Sequence, residues 1–122
     1  FCVTFAQKQG QARIDSIYSY LKNNSERDTN RVNALCDISF TYYSINPQKG
    51  VKTGIEALAI AEQLKFISGQ AKANRFIGVN YYGLSDYTGA IQYYKKAIAL
   101  DKDEYANSID AEAKAGLNRI GG

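Results

Sequence analysis

Two stretches of this 122-residue chain repeat one pattern of small and apolar residues, and this internal repeat constrains the fold most strongly. In the first half of the repeat, matching residues lie 39 positions apart: Leu35–Asn74, Ile38–Ile77, Ser39–Gly78, Tyr42–Tyr81 and Tyr43–Tyr82. In the second half they lie 36 positions apart: Val51–Tyr87, Gly54–Ala90, Leu58–Tyr94, Ala61–Ala97 and Leu64–Leu100. The difference of three residues places an insertion in the turn around Pro47, which is typical of stacked helical hairpins.

Apolar residues at helical spacing predict six helices. In the first, Ile14, Ile17, Tyr18 and Leu21 form one stripe. Asp28 or Thr29 can cap the second helix. The predicted ranges are 12–22, 30–45, 51–66, 70–84, 87–101 and 105–120. The intervening breaks are turns at 46–50 and 84–86, a Ser-Gly break at 68–69, and a polar connection at 101–104.

The stretch from Asn74 to Ala97 resembles a tetratricopeptide repeat, whose pattern is W-x2-L-G-x2-Y followed by A-x3-F. The matching residues are Ile77, Gly78, Tyr81, Ala90 and Tyr94. Asn74 stands in the Trp position, and Lys102 stands where a late Pro is usual. The resemblance implies an all-α fold, with antiparallel helical hairpins stacked as a right-handed solenoid fragment. Gly78 and Ala90 would lie where two helices cross, with Tyr81 and Tyr94 mostly buried beside them.

This interpretation divides the chain into a tail and a repeat domain. Residues 1–11 form an N-terminal tail, and residues 12–122 form the repeat domain. The domain comprises a leading helix at 12–22, repeats at 30–67 and 70–102, and a partial third repeat at 105–122. The third repeat is suggested by Asn118-Arg119-Ile120-Gly121, which echoes the spacing of Arg75 to Gly78.

The resemblance narrows when three local motifs are added: Asp28-Thr29-Asn30, the Asn46–Gly50 turn and the Tyr81-Tyr82 pair. Together they are similar to exported repeat regions of Bacteroidetes-type sensor proteins. That similarity implies the sensory or interaction region of a larger exported or membrane-anchored signalling protein. Residues 1–7 also resemble the end of a signal peptide, because Thr4 and Ala6 are small residues before Gln7. We therefore expect a periplasmic or other extracytoplasmic location; the alternatives are a packed apolar tail and a cytoplasmic protein.

The composition argues against several classes of function. The net charge of +3 is scattered and forms no basic stripe, so nucleic acid is not an expected partner. No run of 18 apolar residues exists to insert in a membrane. The chain has no histidine, which removes the commonest general base and metal ligand. We therefore expect no catalytic residues, metal or cofactor, and a protein that is not an enzyme.

In tetratricopeptide proteins the first helix of each repeat lines a concave groove that binds protein or peptide. The resemblance places Asn33, Cys36, Phe40 and Tyr43 on that face in the first repeat. It places Lys72, Arg75, Val79 and Tyr82 there in the second repeat, and Asn118 in the third. Lys72 and Arg75 could hold a carboxylate while the aromatic rings contact apolar side chains. The alternative is a solvated basic pair beside aromatics that pack on their neighbours.

Three further features have competing interpretations. Cys36 is either a reactive thiol or a small buried hydrophobe, and a Cys36–Cys2 disulfide is conceivable. The acidic run of Asp101, Asp103 and Glu104 suggests calcium, but the twelve-residue loop pattern is missing. The apolar stripe of the last helix could mediate a homo-oligomer through an exposed terminal repeat, or contact the tail at residues 1–5. That stripe comprises Ile109, Ala113, Leu117 and Ile120. Self-association without a separate ligand is therefore the alternative function.

Overall fold

The computed structural model describes the backbone of residues 4–121 and the side chains of residues 4–116. Five α-helices account for most of it: α1 (Phe5–Asn23), α2 (Thr29–Tyr42), α3 (Pro47–Gln63), α4 (Ile67–Gly83) and α5 (Tyr87–Gly121). No β-strand occurs among these residues, so the predicted all-α class is confirmed. Residues 1–3 lie outside the described part. They include Cys2 and most of the segment 1–5 that was predicted as one possible contact of the last helix.

Polar side chains begin four of the helices by accepting a hydrogen bond from a free backbone N–H. They are Thr4, Asp28, Asn46 and Asp86. Asp28 is thus the cap of α2, as one of the two predicted alternatives. The predicted turn at 46–50 is wrong from Pro47 onward, because proline is well suited to the first helical position and α3 begins there. Helix α4 likewise begins at residue 67, before the predicted Ser-Gly break.

Helix α1 begins seven residues earlier than predicted. Thr4 and Gln7 form a reciprocal capping box, in which each side chain accepts a hydrogen bond from the other residue's backbone. Gln7 Nε2 also donates to the Ser44 carbonyl at 3.2 Å. Gly10 allows close approach, since a Cβ there would lie 2.8 Å from Ile45 Cδ1. Residues 5–11, predicted to be a tail, therefore extend the leading helix and hold it to the end of α2.

The helices pack in chain order, and α2 also packs against α4. The connections between consecutive helices are short, at three to five residues. The core is formed by side chains from α1 to α4: Ile14, Leu21, Val32, Leu35, Cys36, Ile38, Tyr42, Ala57, Ile60, Ala61 and Ala73. Helix α5 is added to this core through its contact with α4.

Matching residues of the two repeats lie at matching helix crossings. A Cβ at Gly54, which matches Ala90 in the repeat, would lie 3.0 Å from Ser39 Oγ. Ser39 Oγ also donates to the Gly50 carbonyl of α3 at 2.7 Å. Gly78, its partner in the repeat, lies against α5, where a Cβ would be 3.2 Å from the Ala90 carbonyl oxygen. The predicted crossing of Gly78 and Ala90 is therefore confirmed. Tyr81 and Tyr94 each keep only a minor part of their surface exposed, so the prediction that both are mostly buried is confirmed.

Helix α5 continues through the predicted connection at 101–104. Its 35 residues include no proline and no turn at this point, so the prediction of separate helices at 87–101 and 105–120 is wrong. The run Asp-Lys-Asp-Glu is polar, but polarity alone does not end a helix that contains no breaker. Asp101 also pairs with Arg75 of α4, whose Nη2 lies 3.3 Å from Asp101 Oδ2. The proposed third repeat therefore does not begin with a new helix.

The turn at 84–86 is confirmed, and it contains a strained residue. Ser85 has φ of 61°, in the left-handed region that favours glycine. Its N–H donates to the Tyr82 carbonyl and the Asp86 N–H donates to the Tyr81 carbonyl, both at 2.9 Å. These two bonds form the helix-ending motif that usually has glycine at this position.

Replacing Ser85 with glycine is therefore expected to stabilise the protein. We expect Ser85→Gly to raise the free energy of unfolding by about 0.5–1 kcal/mol, since relief of the left-handed strain exceeds the added entropy of the unfolded chain. Urea denaturation measures the change. Ser19→Gly is the matched control: this exposed serine lies inside α1, where glycine should destabilise by about 0.5 kcal/mol. Two changes of the same sign would contradict the assignment of strain to Ser85.

Candidate functional site

An open groove runs between α2 and α4. It is lined by Asn33, Asp37 and Phe40 from α2 and by Lys72 and Phe76 from α4. The spacings of four, three and four residues place each set on one face of its helix. Within this α2/α4 groove the Phe40 and Phe76 rings are 5.0 Å apart and tilted by 42°. Phe40 is still 51% exposed, so its ring is available for contact.

The polar residues of the groove are held by neighbours. Lys72 Nζ donates to Asn33 Oδ1 at 3.2 Å, which joins the two walls. Arg13 of α1 pairs with Asp37 through two parallel hydrogen bonds, from Nε and Nη2. Asp37 raises the pKa of Arg13 by hydrogen bonding and by charge attraction. A bidentate pair fixes the orientation of the carboxylate, so Asp37 presents a defined acceptor at the groove wall.

A group of tyrosines continues this surface toward the turn between α4 and α5. Tyr43 packs on Gly83, where a Cβ would lie 3.1 Å from its ring. Tyr82 and Tyr87 meet edge to face with centroids 5.5 Å apart. Burial raises the pKa of Tyr94, and the neighbouring Tyr43 and Tyr82 raise it further. We call Tyr43, Tyr82, Tyr87 and Tyr94 the tyrosine patch. Tyr43 also lines a hollow with Asp37 and Phe40, so the tyrosine patch and the α2/α4 groove are continuous.

Most of the predicted face is brought together. Asn33, Phe40 and Lys72 line the groove, and Tyr43 and Tyr82 belong to the tyrosine patch. Two groove residues, Asp37 and Phe76, were missed. They lie four residues after Asn33 and Lys72, so the helical i+4 rule could have identified them.

Two of the remaining predicted residues, Arg75 and Val79, do not line the groove. Arg75 extends to Asp101 of α5, and this ion pair is about half exposed. Val79 is partly buried on α4 and is not among the groove residues. The side chain of Asn118 lies outside the described residues. Of the two basic residues predicted to hold a carboxylate, Lys72 lines the groove and Arg75 does not.

Cys36 belongs to the core and not to the groove, which corrects its predicted position. Its side chain is fully buried, because α2 turns residues 33, 37 and 40 toward the groove and 36 away from it. Burial raises the pKa of the Cys36 thiol to about 11, while Lys72 and Arg75 lower it to a smaller extent. The interpretation as a small buried hydrophobe is confirmed. Cys36 is a free thiol.

Within the described residues, no group of three or more His, Cys, Asp or Glu side chains is placed to hold a metal ion. The acidic residues at 101–104 lie on a continuous helix, which excludes the looped geometry of a calcium site there. No helix in this part of the chain combines the length and the apolar character needed to cross a bilayer.

The groove and the tyrosine patch offer both apolar and charged groups for contact. Exposed aromatic rings offer apolar area at low entropic cost, and Asp37 and Lys72 offer one charge of each sign at the same groove. Comparison of the chain with protein-family models, with curated proteins and with solved structures gives no match.

Proposed function

We propose that this protein is a non-enzymatic scaffold that binds another protein or a peptide along the α2/α4 groove and the tyrosine patch. The observation that carries the proposal is the continuity of exposed aromatic rings with fixed polar groups on rigid helices. Aromatic residues in such positions dominate the binding energy of many interfaces. A peptide would place an apolar side chain on the Phe40 and Phe76 rings and polar groups near Asp37 and Lys72.

The proposed architecture is a tetratricopeptide-like right-handed solenoid fragment. Three observations support it: the α2–α4 contact joins the two hairpins, matching residues lie at matching crossings, and the first helix of each hairpin forms the groove. In such stacks the first helices line one continuous surface, which suits an extended ligand. Phe40 and Lys72 come from different hairpins, so the groove depends on the stacking.

The ligand is expected to carry at least one group that bonds with Asp37 or Lys72. Lys72 is the expected partner for a carboxylate, since Arg75 would have to leave Asp101 to take that role. The resemblance described above extends the proposal to a larger exported or membrane-anchored signalling protein, with a cytoplasmic location as the alternative. Under this proposal the helices sense or dock a partner and need no cofactor.

Selection from a phage-displayed peptide library tests the proposal. We expect peptides with an aromatic or aliphatic anchor to be enriched on the wild type. Their affinity should fall about ten-fold or more in Phe40→Ala, because the truncation removes an exposed aromatic ring that lines the groove. Tyr105→Ala is the control, since Tyr105 is more exposed than Phe40 and lies on the distant part of α5. Thermal melting establishes that both variants fold.

Two outcomes would count against the proposal. One is the absence of any enriched peptide. The other is equal loss of affinity in Phe40→Ala and Tyr105→Ala, which would indicate nonspecific adhesion to exposed rings. Asp37→Asn provides a second variant that keeps the groove's shape and removes its negative charge, so it separates a polar contact from an effect on packing.

A further inference from the structure

Helix α5 carries an apolar stripe that stays about half exposed, although its first residue contacts Tyr82. It is formed by Tyr87, Ile91, Ile98, Tyr105 and Ile109. At 3.6 residues per turn, these positions fall within a sector of about 40°. Each is between 45% and 67% exposed. Ala90 and Ala97, which are buried against α4, lie on another side of the helix, so packing on α4 leaves the stripe accessible.

The second half of α5 extends beyond the part of the helix that packs against its neighbours. Every residue from Asp101 to Lys114 is exposed, which corresponds to about 21 Å of helix at 1.5 Å per residue. The stripe crosses this boundary, since Tyr105 and Ile109 lie beyond it. A single helix surrounded by solvent is marginal in water, and most helical stability in proteins comes from packing of an apolar face. A partner that contacts both halves of α5 would therefore stabilise this exposed extension.

The charges of the two halves have opposite sign. Residues 87–100 contain Lys95 and Lys96 and no acidic residue, a charge of +2. Residues 101–114 contain five acidic residues and two lysines, a charge of −3. A parallel pair of these helices would place like charges together. An antiparallel pair would place each basic half beside an acidic half, and such complementarity fixes orientation in helix pairs.

We propose that two copies of this chain associate through an antiparallel pairing of their α5 helices along this stripe. Overlap from residue 87 to residue 114 would bring about 42 Å of the two helices together. Ile91 and Ile98 of one copy would lie near Tyr105 and Ile109 of the other. The stripe shares Tyr87 with the tyrosine patch, but no residue of the α2/α4 groove takes part in the pairing, so either property can fail without the other.

Sedimentation equilibrium across a range of concentrations tests the pairing. We expect the wild type to dimerise and Ile98→Glu to raise the dimer dissociation constant at least about ten-fold, because a charge would replace an apolar contact. Ile55→Glu is the matched control: Ile55 on α3 is 46% exposed and Ile98 is 53% exposed. It should dimerise like the wild type. Circular dichroism checks that both variants keep their helices.

Charge exchange tests the orientation. One variant combines Lys95→Glu with Lys96→Glu, and the other combines Asp110→Lys with Glu112→Lys. Each variant alone should dimerise at least about ten-fold more weakly than the wild type, because the halves that meet would then repel. An equimolar mixture should recover dimers. The proposal is overturned by a wild type that is monomeric at every concentration, by Ile98→Glu dimerising as tightly as the wild type, or by a mixture that recovers no dimer.

Discussion

The Gly50→Ala variant is expected to lose about 3 kcal/mol or more of folding free energy. A Cβ at this position would lie 2.6 Å from Asn80 Nδ2 and closer still to the rest of that amide. The Asn80 side chain cannot move aside, since it is fully buried. Its Nδ2 donates to the Ser39 carbonyl at 3.0 Å and to the Phe76 carbonyl at 2.8 Å. The variant must overpack the α3–α4 contact or break these bonds.

Urea denaturation measures this effect, and the chain supplies its own control. Gly116 is also helical but has no atom within 4 Å of a Cβ. Gly116→Ala should therefore be neutral or stabilise by up to about 1 kcal/mol. The double variant Gly50→Ala with Asn80→Ala should lose less stability than the sum of the two single losses. The reason is that truncating Asn80 removes the amide with which the new Cβ would clash. Equal effects at both glycines would show that the Gly50–Asn80 contact is absent.

Raising the pH from about 9 to 11 is expected to remove about 2–3 kcal/mol of stability through Cys36. The pKa of this thiol is raised from 9.0 to about 11 by burial, and each pH unit of difference corresponds to about 1.4 kcal/mol. The unfolded chain loses the proton first. The stability that the protonated Cys36 thiol contributes is therefore fully present below pH 9 and is lost as the pH rises through 11.

Unfolding curves under reducing conditions at several pH values test this, with Cys36→Ala as the reference. Comparison with the variant is needed because burial also raises the pKa of Tyr42 and of Tyr94. Loss of the proton from these tyrosines also lowers the stability at high pH, as it does for Cys36. The Cys36→Ala variant retains both tyrosines. The wild type should lose stability more steeply than Cys36→Ala. Identical pH dependence in the two proteins would contradict a buried, protonated thiol.

Local pattern was sufficient to predict much of the fold. The capping rule identified Asp28, and the tetratricopeptide resemblance implied the crossing at Gly78 and Ala90 and the placement of Phe40 and Lys72 on the groove face. The cap and the residue pattern of each repeat depend on neighbours along one helix or one helical hairpin. Such features are encoded within a few residues, so a single sequence reveals them.

Features that depend on contacts between distant residues were missed. Asn80 looks like a surface residue, yet its burial follows from Ser39, which lies 41 residues away. The early start of α1 depends on Gln7 reaching Ser44. Asp37 was not assigned a role because its orientation comes from Arg13 on another helix. The continuity of α5 was not predicted because the run at 101–104 is polar, although nothing in that run breaks a helix.

A nuclear magnetic resonance titration of the ¹⁵N-labelled chain tests the central claim most directly. A peptide recovered from the library selection would be added, and the backbone shifts followed residue by residue. We predict the largest shifts at the α2/α4 groove and the tyrosine patch, and little change along residues 101–114 beyond the groove. Shifts confined to α5, or spread evenly over the surface, would contradict a binding groove formed by Phe40, Phe76 and Lys72.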